Sequence, residues 1–156
     1  LILSRQKLPV IDRSKYGAAD QLEKGGYILA DADQNSKESP DLILIGTGAE
    51  VHVCIEARER LAEAGIAARV VNMASWELFD RMPKDYRETV LPPAVTRRIA
   101  VEAGAPMGWE RYIGMNGAMI GMRRFGASAP GPVMLEKFGF TAEHIVQTAK
   151  EIMSAS

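Results

Sequence analysis

The run Asp41-Leu42-Ile43-Leu44-Ile45, together with the glycine turn and the change of period after it, restricts the possible folds more than any other part of this sequence. An apolar run without alternation belongs to a strand covered on both faces. Gly46-Thr47-Gly48 ends it, and from Ala49 to Ala64 the apolar spacing becomes helical. Val51, Cys54, Ile55, Leu61 and Ala62 form one stripe, while Glu56, Glu59, Arg60 and Glu63 face elsewhere. Gly65 is a C-terminal stop, and Ala68–Met73 reads as a second strand. Strand, helix and strand in this order predict a right-handed crossover between parallel strands.

The rest of the chain extends the pattern. Leu1–Leu3 reads as the end of a buried strand, Pro9 to Lys24 as an irregular linker, and Tyr27–Ala30 as a short strand after Gly25-Gly26. Ser75 is placed to cap a helical turn through Trp76, Leu78 and Phe79. Lys84 to Val90 is a short helix stopped by Pro92-Pro93. Arg98–Glu102 is a third inner strand, Gly108–Tyr112 a short helix, and Ala118 to Phe125 one more strand. Arg124–Ile145 holds a turn at Pro130-Gly131-Pro132 and a packed apolar segment. Thr141 then caps a terminal helix that runs to Ser154 and turns Ile145, Val146, Ala149 and Ile152 inward. Strands alternating with helices imply a three-layer α/β domain.

Composition narrows the function classes. A net charge of -1 supplies no field for nucleic acid or anionic lipid. No apolar run is long enough for a transmembrane helix. One cysteine and two distant histidines exclude a disulfide framework and leave too few ligands for a typical zinc site, so a reducing cytoplasm is the expected compartment. The chain opens in mid-strand without a methionine, and we expect it to be a piece of a longer polypeptide.

The candidate chemistry is sparse. Gly46-Thr47-Gly48 could present backbone N–H groups to an anion, but Val51 stands where a dinucleotide fingerprint needs its third glycine. A tight strand-to-helix turn is the preferred reading. Cys54 lies on the apolar stripe, and His52 points away from it, so no nucleophile–base pair is expected. His144 reads as a solvated surface residue. Trp76, Phe79, Trp109 and Tyr112 read as packing and subunit contact, Met115, Met119 and Met122 as fillers of core or interface space, and Arg97-Arg98 and Arg123-Arg124 as strand-end charges. Arg5 stands at the end of the first strand, the edge where α/β proteins meet ligands, and its planar fork suits phosphate. Spacing alone gives it a surface salt bridge.

Order and spacing of several short motifs go further. These are Leu3-Ser4-Arg5-Gln6, Lys24-Gly25-Gly26-Tyr27 and Gly46-Thr47-Gly48-Ala49-Glu50-Val51. Ser75-Trp76-Glu77-Leu78-Phe79, the run from Tyr86 to Val95 and Val101-Glu102-Ala103-Gly104 come next. Gly108-Trp109 with Tyr112-Ile113-Gly114, and the stretch Arg124–Thr141, complete the set. Over nearly its whole length the chain resembles the C-terminal region of the transketolase family. Met122-Arg123 departs from the aspartate common in that family before RFGASAP, and the stretch from Asp12 to Gln21 matches poorly.

The resemblance implies a three-layer α/β/α fold with a five-stranded mixed, mostly parallel sheet. It implies that residues 1–8 end a preceding pyrimidine-binding domain, 9–24 link, and 25–156 form the C-terminal domain. The implied parent moves a two-carbon ketol unit between sugar phosphates as a homodimer, using thiamine diphosphate with Mg2+ or Ca2+ held by its other domains. Arg5 takes the role of a contact to the substrate phosphate. No catalytic, cofactor or metal residue carries over to this chain, which is expected to be inactive alone. Two alternatives stand beside this: a free-standing regulatory module that binds an anion at Gly46–Gly48, and the matching domain of another thiamine-diphosphate enzyme.

Overall fold

The computed structural model describes residues 7–32 and 39–155. Leu1–Leu3 and Arg5 lie outside the described residues. Within them the strands are β1 Gly26–Ala30, β2 Leu42–Gly46, β3 Ala68–Met73, β4 Arg98–Glu102 and β5 Ala118–Gly121. The helices are α1 Glu50–Glu63, α2 Trp76–Asp80, α3 Lys84–Val90, α4 Glu110–Ile113, α5 Gly131–Lys137 and α6 Ala142–Ser154. The strands form one five-stranded sheet in the order β1-β3-β2-β4-β5. β1 runs antiparallel to β3, and the other pairings are parallel. The expected mixed sheet is therefore present.

Successive residues of a strand face opposite sides, and both sides of this sheet are covered. Leu42, Leu44, Val70, Ile99 and Val101 pack with Val51, Cys54 and Leu61 of α1 and Ile145 and Ala149 of α6. Ile43, Ile45, Val71, Met73 and Ala100 pack on the other side with Phe79, Val90, Trp109 and Tyr112 from α2, α3 and the α4 region. That two-sided burial is why β2 reads as an unbroken apolar run. Ser75 caps α2 by accepting from the Leu78 N–H, and Thr141 caps α6 by accepting from His144.

Several sequence expectations are revised. The buried stripe of α1 is rotated toward Glu50 and Ala57, which leaves Ala62 exposed. The stretch Pro9 to Lys24 is not irregular throughout, because Ala19–Lys24 forms a 3-10 helix packed on β1 and α2. β5 stops at Gly121, four residues short of Phe125, and the chain then leaves the sheet. The segment after Pro130 is a helix, started by proline in its first turn. Met119 and Met122 pack against the core as expected, whereas Met115 is 100% exposed.

Arg98 is not a simple strand-end charge. Its guanidinium donates to the carbonyls of Val95, Tyr112, Leu91 and Pro92, at 2.9, 2.7, 3.2 and 2.8 Å. It thereby ties the loop before β4 to the end of α4. The outer edge of β1 is also engaged: the Gly17 N–H donates to the Leu29 carbonyl at 2.7 Å, and the Tyr86 hydroxyl donates to the Gly26 carbonyl at 2.9 Å.

Candidate functional site

From β2 the chain crosses through α1 to β3 on one side, while β4 joins β2 on the other. Such a reversal opens a crevice at the carboxyl ends of the strands, where open α/β sheets commonly bind ligands. Here a cavity of about 370 Å³ lies at that edge, lined by Thr47 after β2, Ser75, Trp76 and Glu77 after β3, and Glu102, Gly104 and Trp109 at and beyond the end of β4.

The Gly46–Gly48 turn is built for packing. A Cβ on Gly46 would lie 3.0 Å from the Cys54 Sγ and 3.0 Å from the Val51 Cα, so only glycine lets α1 sit this close to β2. Gly48 has a φ of 57°, the left-handed geometry that swings the chain from strand into helix. The first turn of α1 presents a carboxylate, Glu50, which is 7% exposed. Burial raises its pKa above the ordinary carboxylate range. Glu102 is pushed up to about 7, first by burial and then by the charge of Glu50. Among the described residues the charged side chains that line the crevice are Glu77 and Glu102. An anion at the turn would meet these carboxylates, with no compensating cation among the described lining residues. Glu102 sits near neutrality and can hold or release a proton there.

The walls are aromatic. Trp76 meets Trp109 edge to face, with ring centroids 5.0 Å apart, and Tyr112 packs against both. Tyr112 also donates its hydroxyl to Asp80 at 3.0 Å. These rings form part of one core cluster with Phe79, in keeping with a packing role.

The remaining candidates stay apart. Cys54 is fully buried, and burial, helped by Glu50, pushes its thiol far above the range of a reactive cysteine. His52 is partly buried, and burial lowers its pKa. His144 is exposed at the other end of the domain's sequence, with its Nδ1 2.8 Å from the Gly139 carbonyl oxygen. Arg5 lies outside the described residues. Among the described residues no three His, Cys, Asp or Glu side chains are grouped to hold a metal ion. The described lining of the crevice therefore does not fit a diphosphate with its metal.

Sequence reasoning missed Glu50, Glu102 and Arg98. Their only signal was a charged side chain inside or beside an apolar run, which spacing alone assigns to solvent.

The comparisons agree with this architecture. A family model described as the transketolase-like TK C-terminal domain matches residues 25–141. The chain is 47% identical over 151 residues to the transketolase of Aquifex aeolicus, covering 97% of this chain and 21% of that protein. It is 49% identical over 154 residues to transketolase 2 of Vibrio parahaemolyticus, covering 99% of this chain and 22% of that protein. A solved structure of the Pichia stipitis transketolase in complex with sedoheptulose-7-phosphate superposes with a TM-score of 0.82 at 32% identity, covering 96% of this chain and 20% of that one. The chain thus spans about a fifth of the length of the relatives it matches. With its family match, its whole-length similarity and its sheet order in agreement, this chain belongs to the transketolase family, as the C-terminal domain.

Proposed function

We propose that this chain is the C-terminal structural domain of a cytoplasmic transketolase that transfers a two-carbon ketol unit between sugar phosphates. In this reading thiamine diphosphate and Mg2+ or Ca2+ are held by the preceding domains, and the parent works as a homodimer. Residues 1–8 close a preceding pyrimidine-binding domain, 9–24 link, and 25–156 form the supporting domain. Arg5 reaches the substrate phosphate, a task for which a guanidinium fork is well shaped. The chain alone performs no turnover.

The observation that carries this reading is where the family's signature lies. Residues 123–130, which contain RFGASAP, are all exposed, and Phe125 at their centre is 99% exposed. Met107 is likewise 83% exposed. The two-sided core uses none of them, and large apolar side chains turned to water suit a surface that docks on other domains. The sugar-phosphate complex of the Pichia stipitis relative supports the substrate class. Among the described residues no helix is long and apolar enough to cross a membrane.

Two measurements test the reading. In the full-length parent, Arg5→Ala should raise KM for phosphorylated sugars far more than for unphosphorylated acceptors. Equal effects on both would remove Arg5 from the phosphate site. The 156-residue chain mixed with thiamine diphosphate should give no heat of binding, whereas a saturable signal would mean that the cofactor site has been assigned to the wrong domain.

A further inference from the structure

A second cavity, of about 650 Å³, lies between α2, α3 and α4. Its lining includes three cations, Lys84, Arg87 and Arg111, and two carboxylates, Asp80 and Glu88. Each carboxylate belongs to a neighbour. Glu88 pairs with Lys84 at 3.5 Å, and Asp80 pairs with Arg111 at 3.3 Å while also accepting from the Tyr112 hydroxyl. Arg111 rests against the Tyr112 ring, 5.5 Å from its centroid.

Arg87 is different. Its Nε is buried and has no hydrogen-bond partner, and among the described residues its guanidinium forms no ion pair. A guanidinium stays charged and carries five donors in a rigid fork. An N–H shut away from water with no acceptor is costly, and folded proteins tolerate few. The two nearby ion pairs are long and exposed, so each is weak enough to open toward a stronger partner. The volume is that of a small-molecule site rather than of a peptide groove.

We propose that this cavity binds a small anion bearing a phosphate or carboxylate group, with Arg87 as its principal donor and Lys84 and Arg111 closing over it. Two oxygens of such a group meet the fork in the bidentate geometry that makes these contacts strong and directional. The oxygens take up the donors that the guanidinium turns to the cavity, and the surplus positive charge of the lining is neutralised. The site is separate from the crevice at the carboxyl ends of the strands, with which it shares no lining residue.

The test is a titration of the 156-residue chain with inorganic phosphate, glycerol 3-phosphate and acetate, each against sodium chloride at matched ionic strength. It is read by the side-chain Nε–H resonances of the arginines. The Arg87 resonance should move and saturate with phosphate or acetate but not with chloride, and the relative response to the two separates a phosphate from a carboxylate preference. Arg87→Met should weaken binding by about tenfold or more, the loss expected for one charge-assisted contact. Arg87→Lys, which keeps the charge without the fork, should fall between. Arg5→Ala should leave the titration unchanged, so failure here and failure of the Arg5 assignment are read separately. No saturable shift, an equal response to chloride, or unchanged binding in Arg87→Lys would each overturn the proposal.

Discussion

Arg69 and Asp31 form a two-point ion pair, Nε to Oδ1 at 2.8 Å and Nη2 to Oδ2 at 3.0 Å, with the guanidinium largely shut away from water. The third nitrogen of Arg69 donates to the carbonyls of Thr89 and Val90, at the end of α3. One side chain on β3 therefore fastens both the residue after β1 and the last turn of a helix. Removing Asp31 leaves a buried charge without its counter-charge, and such losses are large because desolvation is no longer offset. Asp31→Ala should destabilise the chain by about 2–3 kcal/mol, somewhat below the range for a wholly buried pair because the carboxylate is partly exposed. In urea unfolding, Arg69→Met combined with Asp31→Ala should cost less than the two single changes added together. Strict additivity would mean the pair is not coupled.

Glu102 gives a pH dependence with a defined sign. Its folded-state pKa of about 7 lies above the ordinary glutamate value, with burial the larger cause and Glu50 the second. Between the two values the folded chain holds a proton that the unfolded chain has released. Stability from this group is therefore complete below the unfolded pKa and is lost as pH rises through about 7. Glu50, whose pKa is also raised by burial, acts in the same direction. The urea midpoint should fall between mildly acidic and mildly alkaline buffer, and Glu102→Gln should flatten that fall. An unchanged slope in the variant would place the effect elsewhere.

Cys54 should be chemically silent. The thiol is buried and its ionisation is opposed by its surroundings, so the nucleophilic thiolate is scarce and inaccessible. A thiol reagent should leave the native chain unmodified over hours and label one site at once in denaturant. Rapid labelling under native conditions would show that α1 opens readily from β2.

Gly46 lies directly beneath that helix. Gly46→Ala pushes a methyl group to 3.0 Å from both the Cys54 Sγ and the Val51 Cα, and the second contact is backbone that cannot rotate away. The expected cost is about 1–3 kcal/mol, as for other overpacked cores. Cys54→Ala relieves one of the two contacts, so the double variant should lose less than the sum of the singles. A neutral Gly46→Ala would mean that α1 shifts freely.

The legible and the hidden parts of this fold differ in how local each cause is. β2, α1 and β3 were legible because their periods of burial are written in consecutive residues, and α3 because prolines bound it. The caps at Ser75 and Thr141 needed only three residues each. α5 was hidden because its residues are mostly exposed or half-buried and carry no strong stripe. The crevice was half legible: Gly46-Thr47-Gly48 marked its turn, but the raised pKa of Glu102 arises first from burial and then from Glu50, both set by the sheet order rather than by neighbouring residues. The carbonyls gathered by Arg98 come from two separate segments, the turn before β4 and the end of α4, and no short window of sequence contains that pattern. Arg5 owed its assignment to resemblance, since its neighbours alone gave a surface salt bridge.

The bonds from Gly17 to Leu29 and from Tyr86 to Gly26 have a further meaning for assembly. A strand at the margin of a sheet is a template onto which a foreign strand can add. On β1 those carbonyls are already taken, one by a glycine from the incoming chain and one by a tyrosine of a covering helix. The sheet consequently cannot grow outward through this margin without first losing contacts of its own. The same two bonds that finish the fold thus close two positions of that margin to an added strand.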